Sequence, residues 1–329
     1  MNLICFDIEG PLAPQDNAYE LMKLFPNGDR IFEVISRYDD LLTLENRSDY
    51  EPGDTLALIT PFLAYHGIKE KQITTMGEEA SLTPGAIELI SRLKSQGWQV
   101  FCISTSYEQY ALSVTQRLSI PKENVACTVF PLDQICQLLS KGDFALLEQA
   151  EREIMNFKPF VDDARIKGNL DRFYWQELPK TSAGKIITKV KPVGGQRKVE
   201  ALEQFATKAG KPLSHWVVIG DSITDFKMLQ AVDKAGGLAI AFNANEYALP
   251  YSSMGLASTN LDDLWIALEA WQSGKREAVE EIVKEREEAG GEGDRGYLHW
   301  LAGSKDISFA LEVHKRIRGL VREEAAKLG

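Results

Sequence analysis

Cysteine, histidine and long apolar runs are scarce in this chain, and each scarcity removes a class of function. Four cysteines and four histidines occur among 329 residues, and Cys127 and Cys136 lack the spacing of zinc ligands. Cys5 and Cys102 fall inside predicted strands, where a free thiol packs as a small hydrophobe. No stretch approaches the roughly 20 apolar residues of a membrane span. The first apolar run is a few residues long and ends in acids, which is not the pattern of a signal peptide. Positive charge is also in deficit: 37 Lys and Arg against 48 Asp and Glu leave a net charge of −11. That balance argues against a broad nucleic-acid or anionic-membrane surface. A small anionic partner stays open, because a few cations or a metal reverse the field locally. These readings place the protein in the cytoplasm with reduced thiols.

What is present points to an α/β protein. Leu3-Ile4-Cys5-Phe6 reads as a buried strand, and Asp7-Ile8-Glu9-Gly10 carries two acids at its C-terminal tip before Pro11 and Pro14 break regularity. Further strands are expected at Val100–Ile103, Val125–Val129, Trp216–Ile219 and Leu238–Phe242, with helical spacing between most of them. That alternation predicts a doubly wound parallel sheet, a Rossmann-like core. The core is expected over 1–12 and 82–271, with a mostly helical insert at about 131–191. Residues 13–81 carry apolar positions at helical spacing, punctuated by Pro26, Gly28, Pro52, Gly53 and Gly67, and read as a small helical insert. Residues 272–329 read as a C-terminal helical extension broken at Gly290–Gly293, with a helix from Leu298 and a basic face from Lys315 to Arg322. A solvated tail is the plain reading of that extension; a homodimer formed through the C-terminal helices is the alternative.

In open α/β sheets ligands bind at the strand tips. Asp7 and Glu9 follow the first strand, Ser104 and Thr105 the second, and Asp221 and Asp225 the fourth, within Gly220-Asp221-Ser222-Ile223-Thr224-Asp225. Lys198 lies near the start of the helix entering that fourth strand. Singly, each residue has an ordinary explanation: a turn or cap for the acids, a helix cap for Ser104, a solvated position for Lys198. Jointly, carboxylates converging on one point require a hard cation, and all-oxygen ligands suit Mg²⁺. A phosphoryl group would complete such a site, its charge offset by the metal and Lys198.

The four motifs, their order and their context resemble the haloacid dehalogenase superfamily, in particular its phosphoserine phosphatase-like branch with a small helical cap. The resemblance covers roughly residues 1–260 and is specific as a set. It implies a Mg²⁺-dependent phosphatase acting on a small phosphorylated metabolite through an aspartyl-phosphate, with the cap at about 13–81. It further implies that Asp7 is the nucleophile and Glu9 the proton carrier, and that Ser104, Thr105 and Lys198 bind phosphate. Asp7, Glu9 (through its carbonyl), Asp221 and Asp225 would hold the metal, and Asp16 would touch the substrate. Glu9 stands where the branch usually has Asp, so transfer of the phosphoryl group to an alcohol such as homoserine is an alternative acceptor chemistry. A non-catalytic phospholigand-binding regulatory protein is the alternative outside enzymes. Arg37 and Arg47 are the cations nearest in sequence to the expected substrate pocket.

Overall fold

The computed structural model describes residues 2–45, 47–288 and 296–322. Strand β1 (Leu3–Phe6) is wholly buried, with β2 (Gln99–Tyr107) and β4 (Trp216–Gly220) parallel on its two sides. Strands β3 (Val125–Thr128), β5 (Leu238–Phe242), β6 (Met254–Ala257) and β7 (Tyr297–Trp300) complete a seven-stranded sheet in the order 3-2-1-4-5-6-7. Only the β6–β7 pair is antiparallel.

Successive side chains of a strand point to opposite faces, and both faces of this sheet are covered. Leu3 and Cys5 join one apolar layer, with Leu202 and Phe205 of α11 (Gln196–Ala209) and Met228 of α12 (Phe226–Lys234). Ile4 and Phe6 join the other, with Leu89 of α5 (Ala86–Ser95), Val114 of α6 (Glu108–Arg117) and Leu268 of α13 (Trp265–Glu288), a helix kinked at Gly274 and Lys275. Burial on both sides is why the strands read as unbroken apolar runs rather than alternating ones.

Between β1 and β2 lie α1 (Asn17–Met22), α2 (Gly28–Leu44), α3 (Thr55–Tyr65) and α4 (Glu70–Glu79). Every residue of α3 from Thr55 to Ala64 is buried. A helix apolar on all sides must be covered on all sides. The cover comes from the second insert, α7 (Leu132–Cys136), α8 (Lys141–Ile154), α9 (Asp163–Arg172) and α10 (Gly184–Ile187), which packs on α2 and α3. Arg37 of α2 forks onto Asp163 at 3.1 and 2.6 Å, and the Tyr174 hydroxyl donates to the Leu58 carbonyl at 3.1 Å. The helices of 131–191, expected as an insert of the core, therefore sit on the cap helices. Partners more than 100 residues apart leave no local trace in a sequence.

The C-terminal region departs further from expectation. The helix read from Leu298 begins instead as strand β7, and the helix proper is α14 (Ser308–Arg322). Four residues are too few for their alternation to stand out beside a longer helical pattern. Nor is α14 a solvated tail: Ala310, Val313, His314, Ile317, Arg318 and Arg322 are all buried. The glycine break at 290–293 and the positions after 322 lie outside the described residues. Among the described residues, no helix is long and apolar enough to cross a membrane.

His314 fastens α14 to the sheet by accepting from the Ala244 amide at 3.0 Å. Burial, helped by His299 and Arg318, pushes its pKa down to about 3. The unfolded chain takes up that proton near the ordinary value of about 6.5, so stability falls as pH drops from there toward the folded value. Urea unfolding at pH 7 and pH 5 should show wild type losing about 2 kcal/mol more than His314→Gln over that interval.

Candidate active site

The sheet order reverses direction at β1: the chain leaves it toward β2 on one side and reaches β4 on the other. That switch point leaves a crevice at the carboxyl ends of β1 and β4. Asp7 stands there, buried, with Oδ1 accepting from the Ile8 amide at 2.7 Å and Oδ2 lying 2.8 Å from Lys198 Nζ. Lys198, in the first turn of α11, is fully enclosed and also donates to Asp225 Oδ1 at 2.7 Å. Burial works against its charge, but Asp225 and Asp7 outweigh burial and hold its pKa above the ordinary lysine value. For Asp7, burial and Asp225 push the pKa up while Lys198 pulls it back.

The turn after β4 is wrapped around Asp225. Its Oδ2 accepts from the amides of Asp221 and Ser222 at 3.0 and 3.1 Å. A Cβ at Gly220 would lie 2.6 Å from the same carboxyl group, so the glycine is what lets the turn close. Both oxygens of Asp225 are thus engaged, one by the turn and one by Lys198.

Asp221 is held differently. Its Oδ2 receives Nη1 of Arg322 at 2.7 Å and Nη1 of Arg318, while Oδ1 is buried without a hydrogen-bond partner. A buried orphan oxygen carries a desolvation cost that a cation would relieve. Carboxylate oxygens of Asp7, Asp221 and Asp225 lie within 4.8 Å of one another, and an all-oxygen set of this kind fits a hard divalent cation. Gly10 sets the clearance: at φ +91°, a Cβ there would fall 2.4 to 2.6 Å from the Asp221 carboxyl atoms. Gly10→Ala should therefore weaken divalent-cation binding by at least about 10-fold, as measured by titration calorimetry, since ligand shifts of that size break metal geometry.

Glu9 faces the same crevice. It accepts from the backbone amide of Asn17 at 2.5 Å and the Asn17 side chain at 3.0 Å. Burial, then the neighbouring Asp16, lifts its pKa to about 7, where a carboxyl group can both give and take a proton. Asp16 caps α1, accepting from the Tyr19 amide at 2.8 Å. Asp7, Glu9, Asp16, Thr105 and Asp221 line one cavity of about 70 Å³.

Not every expected residue reaches it. Ser104 is fully enclosed, its hydroxyl accepting from the Ser106 amide at 3.1 Å, and is not among the lining side chains. The wall belongs to Thr105, whose hydroxyl donates to the Val193 carbonyl at 3.1 Å. Arg37 is committed to Asp163, and Arg47 stacks over Trp175 at 4.2 Å. The cavity gains residues that sequence reasoning missed: Asp39 and Asp40 from α2, and Arg322 from α14. Burial raises Asp39 to about 6, and burial with Asp39 raises Asp40 to about 7. The sequence held one clue to the arginines. Arg318 and Arg322 continue the spacing of Ala310, His314 and Ile317, so they sit on the apolar face of an amphipathic helix.

No family model matches the chain. Among curated proteins it is 26% identical over 243 residues to a phosphoserine phosphatase of Streptomyces coelicolor, covering 74% of this chain and 44% of that protein. It is 29% identical over 124 residues to the human phosphoserine phosphatase, covering 37% of this chain and 51% of that one. The chain thus spans about half the length of the curated relatives it matches. A solved gene product of Archaeoglobus fulgidus superposes over 100% of this chain and 99% of its own, with a TM-score of 0.86 and 29% identity. A phospho-aspartyl intermediate analogue of phosphoserine phosphatase shares the fold, with a TM-score of 0.52 at 18% identity over 80% of this chain and 97% of its own. The chain belongs to the haloacid dehalogenase superfamily, in its phosphoserine phosphatase-like branch. As in that superfamily, a Rossmann-like core carries a helical cap, and here C-terminal helices are added.

Proposed function

We propose that this haloacid dehalogenase-like protein is a Mg²⁺-dependent phosphatase of a small phosphomonoester. The observation that carries the reading is Asp7 at the switch point, tied to Lys198 and facing the orphan oxygen of Asp221. An Asp7 oxygen attacks phosphorus, the ester P–O bond breaks, and the leaving oxygen takes the proton of Glu9. Glu9, now ionised, accepts a proton from water as that water attacks the aspartyl-phosphate. The P–O bond to Asp7 breaks, phosphate leaves, and Glu9 is protonated again. Lys198 offsets the negative charge that accumulates on Asp7 and the phosphoryl oxygens. Asp225 keeps Lys198 and the Asp221 turn in place, while Thr105 borders the phosphoryl group. Asp7, Asp221 and the Glu9 carbonyl would hold the metal, which supplies a counter-charge for the phosphoryl oxygens when bound. Asp16 is placed to meet a polar group of the substrate. The free thiols of all four cysteines agree with a cytoplasmic setting.

Phosphate release from an aryl phosphate and a panel of phosphorylated metabolites tests this. Release is expected with Mg²⁺, lost with a chelator and recovered on re-adding Mg²⁺. No release from any compound at neutral pH sinks the reading.

A further inference from the structure

The cavity is short of positive charge for the substrate just proposed. Six acids line it (Asp7, Glu9, Asp16, Asp39, Asp40 and Asp221), and among the described residues a single Lys or Arg does so, Arg322. Lys198 lies beneath the floor, bonded to Asp7 and Asp225, and is not part of the wall. We propose that Arg322, delivered by the C-terminal helix, is a substrate-binding residue that receives the anionic oxygens of the phosphomonoester, while Arg318 is a positioning residue for Asp221. This rests on the phosphatase reading and extends it to a specific cation.

The two arginines are built for different tasks. Arg318 is enclosed at the end of β5 and donates to Asp221 Oδ2 and to the Asn243 carbonyl at 3.2 Å, so it ties two strand tips together. Arg322 donates through Nε to the Pro14 carbonyl at 3.0 Å and through Nη1 to Asp221 Oδ2 at 2.7 Å. That grip aims its guanidinium at the cavity wall, and Arg322 also borders an open groove of about 640 Å³ beside Gln15 and Lys23. It therefore stands at the boundary between the enclosed site and the side from which a substrate enters. A guanidinium offers a planar fork that matches two phosphate oxygens, which a lysine cannot reproduce.

The test uses the full chain with Mg²⁺, an aryl phosphate as substrate and inorganic phosphate as competitive probe. Arg322→Gln should raise both KM and the phosphate inhibition constant about 10- to 100-fold, the worth of a charge-assisted bond. Its kcat should change less than about 3-fold, because the lost contact is made in ground and transition states alike. Arg322→Lys should fold like wild type and recover part of the loss, leaving phosphate binding weaker by at least about 3-fold. Arg318→Gln should instead weaken Mg²⁺ binding and lower Tm, with a smaller effect on the phosphate constant. If Arg322→Gln fails to fold, Arg322→Lys decides. Phosphate constants within about 2-fold of wild type in the folded Arg322 variants overturn the proposal, since the fork would then contribute nothing measurable. A wild-type protein that releases no phosphate overturns the phosphatase reading instead. In that event the rise in Tm on adding inorganic phosphate, present in wild type and lost in Arg322→Lys, still judges Arg322.

Discussion

Asp7→Asn is expected to lower kcat for aryl-phosphate hydrolysis by about 10⁴-fold or more, in line with the loss of a covalent nucleophile elsewhere. The same change should leave Tm equal to wild type or higher. Asp7 is a buried acid opposed by burial and by Asp225, and asparagine keeps nearly its shape without its charge. Lys198 stays paired with Asp225 at 2.7 Å, so no buried cation is orphaned. Initial rates and a thermal melt on one preparation check both halves. Retained activity, or a melt lowered by more than a few degrees, contradicts the account of Asp7.

Lys198→Met should fail in the opposite way, losing stability as well as activity. It leaves Asp7 and Asp225 facing each other without the cation that joins them. Removing one partner of a buried charged set costs about 3–5 kcal/mol, which urea unfolding at pH 7 would register. Loss of its charge from the phosphoryl site should cost a further 10²- to 10³-fold in kcat, on the order of other electrostatic contacts to a transition state. The double variant Lys198→Met/Asp225→Asn should recover much of the stability and none of the rate. Groups that share one network are not additive, and the double variant measures that coupling.

The sheet and the first half of the site were legible because each piece is local. Leu3–Phe6 and Trp216–Ile219 announce strands within a few residues, and Asp7 and Asp221 follow directly at their tips. Lys198 was legible through its order in the chain. Ser104 and Thr105 were found together, but the sequence could not tell which of two neighbours at a strand end would face the cavity. What stayed hidden is what depends on distant packing. Asp39 and Asp40 look like ordinary polar positions of α2 until α3 closes over them. Arg318 and Arg322 look like part of a solvated basic face until β7 turns the following helix back across the sheet.

That return of the chain also orders events during synthesis. The Pro14 carbonyl that accepts from Arg322 lies 308 positions earlier in the chain. The parallel strands from β1 to β6 and both cap inserts have all left the ribosome before residue 322 is made. A nascent chain can therefore assemble the sheet and the Asp7–Lys198–Asp225 cluster while Asp221 still lacks its arginines. The cavity acquires its guanidinium wall only at the end of translation, so a product arrested before Ser308 would carry the acids of the site without the side chain that faces them.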